Sequence, residues 1–313
     1  MNEHDRRRRP GPPGPAGRPG APKKFYPPRR AVEGPPPEGR LICGLQPVRE
    51  AVRAHGARLL RLILEESASP TLDALGRFAT DQGVPVEREP RGALDQRALG
   101  ARHQGAVAYA PALEVLASTA EVTASGMPLV LCLDELEDPQ NFGAIVRSAV
   151  ALAASCVVWP EHHSAPLSAA MFRASAGAVE HACLVRVPAL PSELLALRDR
   201  GVVVVGLDAD AKHTLSDLDL RGPIAVVVGS EGRGLRKPVK QACTRLARLP
   251  MTKLLGSLNA SVAAAIALYE VGRQRSAGSS TSDAPTDESC GERRGEDGGE
   301  DTPDGDEPCP PSA

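Results

Sequence analysis

The chain is predicted to be an α/β protein with a mostly parallel sheet, on two observations. Short apolar runs alternate with stretches of helical spacing from Leu41 to Arg275, the pattern of strands joined through crossover helices. Several of these runs, among them Leu129–Leu133, Val202–Leu207 and Ile224–Gly229, are apolar without interruption, as strands covered on both faces must be. Sheets of this kind bind ligands in the crevice at the carboxyl ends of their strands. The loops that follow the runs therefore hold the candidate site.

Met1–Arg40 is dominated by Pro, Gly and Arg, which neither bury apolar area nor keep a helical period, so disorder is expected there. It is either a solvated tail or a basic arm that adds non-specific phosphate affinity. Residues 41–111 read as a small α/β domain. Its strands are Leu60–Leu64, Val84–Glu87 and Ala106–Tyr109, and its helices Pro47–His55, Thr71–Gln82 and Arg91–Leu99. Residues 112–127, small and aperiodic, read as a linker.

The second domain, 128–275, opens on the strand Leu129–Leu133. Asn141 is expected to cap a helix in which Ile145, Val146, Ala149, Val150 and Ala153 keep helical spacing. Strands follow at Cys156–Trp159, Leu184–Val187, Val202–Leu207, Ile224–Gly229 and Arg245–Leu249. Helices follow at Ser168–Ala174, Ser192–Arg198, Pro238–Ala242, where Pro suits the first turn, and Leu258–Arg273. Residues 276–313, rich in Ser, Gly, Asp and Glu, should form a disordered acidic tail.

The net charge of −2 over 313 residues hides this asymmetry. Residues 1–40 carry ten Lys/Arg against four Asp/Glu, residues 276–313 carry two against eleven, and the body between is nearly balanced. The seven cysteines are scattered and form no C-x-x-C, so they read as buried thiols in a reducing cytosol, with neither a disulfide framework nor a zinc site. No apolar run approaches the ~20 residues of a membrane span, and no apolar stretch backs the N-terminal arginines as in a secretion signal. A cytoplasmic protein with no membrane or metal partner is expected.

Three strand ends deliver the polar residues. The first brings Asn141 and Arg147, the second Glu231 within Gly229-Ser-Glu-Gly-Arg-Gly234, and the third Ser257, Asn259 and Ser261. Glycines in the second loop free backbone N–H groups around one carboxylate, a form suited to cradling a ligand. Singly, each residue has an ordinary reading: a cap, a surface arginine, a solvated turn. Their joint delivery to one edge of a sheet is what indicates a site. The loop lacks the G-x-G-x-x-G spacing of dinucleotide-binding dehydrogenases.

The order D-P-x-N-x-G-x-x-x-R (Asp138, Pro139, Asn141, Gly143, Arg147), G-x-E-G-x-G (Gly229, Glu231, Gly232, Gly234) and L-P-M…S-L-N-x-S (Leu249, Pro250, Met251, Ser257, Leu258, Asn259, Ser261) resembles the SpoU, or TrmH-type, branch of the SPOUT RNA methyltransferases. This resemblance spans Leu129–Arg275. The preceding domain resembles that family's L30e-like RNA-binding module through Gly44-Leu-Gln-Pro-Val48 and His103-Gln-Gly105. The pairing is similar to that of bacterial 23S rRNA guanosine-2′-O-methyltransferases.

The resemblance implies a small L30e-like domain followed by an α/β domain with a deep trefoil knot, an exception to the general absence of knots. It implies S-adenosylmethionine as cofactor, held around Gly229, Gly234, Leu249, Met251 and Leu258, although the leucines equally suit a core. It places Arg147 near the reacting hydroxyl, with Asn141 orienting Arg147 or the ribose, and with Glu231, Ser257 and Asn259 fixing the loops and the nucleotide. A homodimer is implied too, for which Val262, Ala265, Ile266 and Tyr269 on the last helix offer a contact face or an ordinary core face. Lys253 departs from the family pattern, which has glycine two residues after Met251.

The reaction implied is methylation of a ribose 2′-hydroxyl in RNA, with a guanosine of 23S rRNA as the expected substrate. Such a hydroxyl is a weak nucleophile at neutral pH, so the enzyme has to align it and help remove its proton. Guanidinium rarely deprotonates, which favours electrostatic stabilisation of a developing alkoxide by Arg147 over a role as base. The alternatives are the same reaction on tRNA or on an rRNA adenosine, and a non-catalytic ribosome-assembly factor. Presence of Asn141, Arg147, Glu231, Ser257 and Asn259 together weighs against the last.

Overall fold

The computed structural model describes residues 39–124, 126–252 and 256–279. Apart from 39–40 and 276–279, the expected basic and acidic tails lie outside the described residues, as does Lys253.

The first domain is a four-stranded sheet with three helices. Its strands are β1 (Arg40–Cys43), β2 (Arg61–Glu65), β3 (Val86–Glu89) and β4 (Ala106–Ala110), in the order β1-β4-β2-β3. Only β2 and β3 run parallel, and the hydrophobic β4 is buried at every position. Helices α1 (Leu45–His55), α2 (Pro70–Asp81) and α3 (Arg91–Arg97) fall where the periodicity puts them, within two residues at each end. The sequence reading missed β1, whose neighbours are the glycines and prolines of the tail.

In the second domain the elements are β5 (Val115–Leu116), β6 (Leu129–Asp134), α4 (Pro139–Ala151), β7 (Cys156–Pro160), α5 (Ala169–Ala174), β8 (Leu184–Val187), α6 (Leu190–Asp199), β9 (Val203–Leu207), β10 (His213–Thr214), β11 (Ile224–Gly229), α7 (Lys237–Ala242), β12 (Arg245–Arg248) and α8 (Ala260–Ser279). The eight strands pair in the order β10-β12-β9-β11-β6-β7-β8-β5, every pair parallel. Alternation along β6 shows why these runs are apolar throughout. Leu129, Leu131 and Leu133 face one core with residues of α4 and α8, whereas Val130 and Cys132 face the other with residues of α6 and α7. Burial pushes the Cys156 thiol up to about 12, consistent with the packing role expected of the cysteines.

Three local differences from the expectations have physical causes. The stretch 112–127 is partly structured: β5 pairs with β8 at the sheet edge, and the buried Thr119 donates from its backbone N–H (3.0 Å) and its hydroxyl to Glu193 of α6. Helix α8 runs four residues past Arg275, where the Arg275 guanidinium bonds the carbonyls of Met127, Pro128 and Gly222 at 2.8–3.2 Å. The cap of α4 is Asp138, not Asn141; its carboxylate accepts from the N–H groups of Gln140 (2.9 Å) and Asn141 (3.4 Å). Pro139 has no N–H to be satisfied and starts the helix directly after Asp138, which leaves the Asn141 side chain free.

Gly143 sets the fit of α4 on α5. A Cβ there would lie 2.4 Å from the Met171 carbonyl oxygen and 2.6 Å from Ala174 Cβ. Gly143→Ala is expected to destabilise the protein by about 1–3 kcal/mol through overpacking against backbone, read as a lowered midpoint in chemical denaturation.

The domains meet at a buried carboxylate. Glu180, its side chain 2% exposed, takes both Nη atoms of Arg40 (2.8 and 2.5 Å) and His55 Nε2 (2.9 Å). Beside it His181 bonds Glu50 at 3.0 Å, and Gly177 sits so close that a Cβ would be 2.8 Å from Pro47 Cα.

Candidate active site

Three loops at the carboxyl edge of the parallel sheet converge on one oxygen atom. Glu231, in the loop after β11, accepts at Oε1 from Asn141 Nδ2 (2.7 Å), Asn259 Nδ2 (2.6 Å) and the Ala260 N–H (3.4 Å). Asn259 Nδ2 also reaches Asn141 Oδ1 at 3.0 Å. The Asn259 side-chain oxygen accepts from the Ser261 N–H and hydroxyl and the Val262 N–H, so the same residue caps α8 and ties it to the loop. Each of the three sequence motifs thus contributes one residue to a single knot of hydrogen bonds.

The glycines of this loop serve its own folding. At Gly229 a Cβ would lie 2.2 Å from the Gly234 carbonyl carbon and 2.5 Å from the Leu235 nitrogen. The loop closes with the Gly234 N–H bonding the Ser230 carbonyl at 2.9 Å, and Gly232 and Gly234 have φ of +88° and +64°, the left-handed region that suits glycine.

A cavity of about 380 Å³ lies on one side of the loop, within the size range of small-molecule clefts. Gly229, Gly234, Leu249, Met251 and Leu258, the five residues expected around the cofactor, all line it, as do Glu231 and Ser257. Its walls also include Asp208, Asp210 and Lys240, which sequence reasoning did not single out. The apolar Leu249, Met251 and Leu258 set beside carboxylates fit a ligand that presents a flat ring face and a positive charge, as the adenine and the sulfonium of S-adenosylmethionine do. On the other side of the loop a second cavity of about 300 Å³ is lined by Glu135, Asp138, Asn141 and Arg233. Ser230, Glu231 and Arg233 line both cavities, so the loop is their common wall.

Arg147 stands apart. It is exposed on α4, lines neither cavity and makes no hydrogen bond or ion pair among the described residues. Of the two roles expected of Asn141, orienting Arg147 or the ribose, the first has no contact behind it here, because the Asn141 amide bonds Glu231 and Asn259. Ser257 reaches the cavity wall without joining the knot.

Two ion pairs brace the site and were not foreseen. Asp134, fully buried at the end of β6, accepts from the Arg236 N–H (2.9 Å) and Nε (2.8 Å), with Nη2 at 2.7 Å. These bonds strengthen the hold of the Arg236 guanidinium on its proton and join the loops after β6 and β11. Asp134 ends an apolar run beside other acidic residues and gives no periodic signal of its own. Across the cavity Lys240 Nζ lies 2.6 Å from Asp208 Oδ2.

Burial raises the Asp208 carboxyl, but the hydrogen bonds from Lys240 and the Asp210 N–H outweigh it and hold the group below its ordinary value of 3.8. A carboxyl lowered in the folded state stabilises above the unfolded value and loses that contribution as pH falls through the folded one. Lys240→Met is therefore expected to cost about 0.5–1 kcal/mol at neutral pH, modest because Lys240 is partly exposed. The gap to wild type should close on acidification below about pH 4, as urea denaturation across pH would show. Among the described residues no group of His, Cys, Asp or Glu is placed to hold a metal ion, and no helix is long and apolar enough to cross a membrane.

Residues 128–269 match the model of the SpoU rRNA Methylase family, and residues 41–116 match that of the RNA 2′-O ribose methyltransferase substrate binding domain. The chain is 42% identical over 239 residues to the putative TrmH family tRNA/rRNA methyltransferase YacO of Bacillus subtilis, covering 75% of this chain and 95% of that protein. It is 36% identical over 239 residues to the 23S rRNA (guanosine-2′-O-)-methyltransferase RlmB of Photobacterium profundum, covering 75% and 98%. Among solved structures, the SpoU methyltransferase AviRb from Streptomyces viridochromogenes in complex with AdoMet superposes with a TM-score of 0.62 at 26% identity, over 76% of this chain and 91% of that one.

Proposed function

We infer the reaction from the premise that this chain belongs to the SpoU rRNA methylase family: it is an RNA 2′-O-ribose methyltransferase that uses S-adenosylmethionine, and its substrate is a guanosine of 23S rRNA. The observation that carries the reading is the convergence of Asn141, Glu231 and Asn259 on the wall between two cavities. The larger cavity, bounded by Gly229, Leu249, Met251 and Leu258, suits the cofactor, and the smaller one, beside Asn141 and Arg233, suits the target nucleotide. The choice of guanosine and of 23S rRNA is supported by the Photobacterium relative, which matches over nearly its whole length.

S-adenosylmethionine, when bound, supplies a methyl group already activated on a sulfonium. The chain has to hold the ribose hydroxyl in line with that methyl and favour loss of its proton. Glu231 serves as a positioning group, because its Oε1 is committed to three donors. The Arg147 guanidinium makes no ion pair among the described residues, so in this reading its charge stabilises a developing alkoxide or the adjacent phosphate. Ser257 lines the larger cavity and not the smaller one, so in this reading its hydroxyl serves the cofactor side of the site.

The enzyme works as a cytoplasmic homodimer in this reading. On α8, Ala264, Ala267, Leu268 and Val271 are buried in the core, while Val262, Ile266 and Tyr269 are 46%, 41% and 60% exposed and recur at helical spacing. This stripe is the proposed dimer contact. Ile266→Glu is expected to yield a folded monomer by sedimentation; an unchanged association state would remove the contact.

Ribose-methylation mapping of RNA from cells with and without the gene tests the substrate. Loss of one 2′-O-methylguanosine in 23S rRNA is expected. A lost mark in tRNA, or at an adenosine, would overturn the assignment.

A further inference from the structure

A groove of about 620 Å³ lies away from the methyl-transfer loops, at the junction of the two domains. One wall comes from β1 and the loop after α3, the other from α5 and the turn after it. Its one acidic wall residue, Glu180, is already ion-paired with Arg40 and hydrogen-bonded to His55. Arg102 and Arg173, by contrast, are exposed on opposite walls and make no ion pair or side-chain hydrogen bond among the described residues. Arg173, on the α5 wall, and Cys43 of β1, on the other, line the same groove. The groove therefore has a net positive lining.

Its apolar surface is exposed as well. Leu99, on the rim, is 69% exposed and held at φ +50°, a left-handed conformation that is uncommon for a residue with a branched side chain. Strain of this kind persists where the surroundings impose it and clusters at ligand-contacting segments. Helix α5, which carries Arg173, packs on α4 at Gly143, where a Cβ would meet the backbone of Met171 and Ser175, and Arg147 stands one turn further along the same face of α4.

We propose that this interdomain groove binds the single-stranded RNA flanking the target nucleotide, with Arg102 and Arg173 each contacting a phosphate and Leu99 contacting a base. Charge complementarity selects the occupant: two unpaired guanidiniums on facing walls suit a polyanion that enters between them. The proposal rests on the RNA methyltransferase reading and adds to it the path by which the two domains share one strand.

The test is binding of a fluorescein-labelled single-stranded oligoribonucleotide to the full-length protein, followed by anisotropy over a salt series. Arg102→Ala/Arg173→Ala is expected to lower the slope of log K against log salt by about 1.4 and the affinity at ~0.1 M salt by about 20-fold. Arg173→Lys, which keeps a point charge, should retain most of the slope. Leu99→Gly should weaken binding while the melting temperature holds or rises, an outcome that a structural role for Leu99 would not produce. An affinity and slope unaltered by the double substitution overturn the proposal. So does a change seen only when residues 280–313 are present, which would give the groove to the chain's own acidic segment. Wild-type protein that binds the oligonucleotide but methylates no RNA would remove the functional reading and leave the groove standing.

Discussion

Arg147→Ala is expected to lower kcat for methyl transfer by about 10²–10³-fold while leaving folding stability and cofactor affinity at wild-type values. The magnitude is that of removing one charge or donor that stabilises a developing oxyanion. The selectivity follows from the position of the residue: Arg147 is exposed, bonds to nothing among the described residues and lines neither cavity. Truncation therefore opens no void and leaves no partner unsatisfied. Single-turnover transfer from labelled cofactor, with calorimetric titration of S-adenosylmethionine and a thermal melt, separates the three quantities. Wild-type single-turnover rates would remove Arg147 from the chemistry, and a lowered melting point would show that its role is structural. Arg147→Lys should recover little if a forked guanidinium is needed for the phosphate or alkoxide.

Glu231→Ala should have the opposite profile, with stability, cofactor affinity and rate all reduced. Removing the carboxylate leaves the amide groups of Asn141 and Asn259 and the Ala260 N–H without their common acceptor. The carboxylate lies at a solvent-accessible wall, so water replaces part of what is lost and the cost in stability is about 1–2 kcal/mol. Rate suffers more, because a shift of ~1 Å in the loop that separates the two cavities is enough to cost about 10²-fold in transfer. Glu231→Gln keeps an acceptor oxygen and should recover most of the stability. If Glu231→Gln lost all transfer while binding the cofactor normally, the group would have to be reassigned from positioning to proton removal.

The contrast between these two residues marks where the sequence could be read and where it could not. Both were visible as members of ordered motifs. Nothing in spacing distinguishes an arginine that bonds to nothing from a glutamate that joins three loops, since the difference arises from which strand ends lie side by side. The five residues expected around the cofactor do share one cavity, because each belongs to a loop leaving the same edge of a parallel sheet. Asn141 illustrates the limit. Its place near a helix start suggested a cap, but Asp138 and Pro139 begin that helix first, and the amide is thereby released to the site.

The same limit applies to Asp134, Asp208, Lys240 and Arg236. Each is an isolated polar residue in its own segment, and each acquires a role only by meeting a partner between 32 and 102 positions away in the chain. The glycines were legible as loop-formers, yet only the structure assigns Gly229 to the close return of Gly234 and Gly143 to the contact of α4 with α5.

The sequence by itself determined the alternation of strands and helices, the parallel character of the second sheet and the residues delivered to its carboxyl edge. These depend on local hydrophobic period and on backbone preferences that act within a few residues. Tertiary structure decided the rest: the knot of hydrogen bonds on Glu231, the pairing of cavities across one loop and the positive groove between the domains. Each of these is a coincidence in space of groups far apart in the chain, and strand order, which local periodicity does not encode, brings them together.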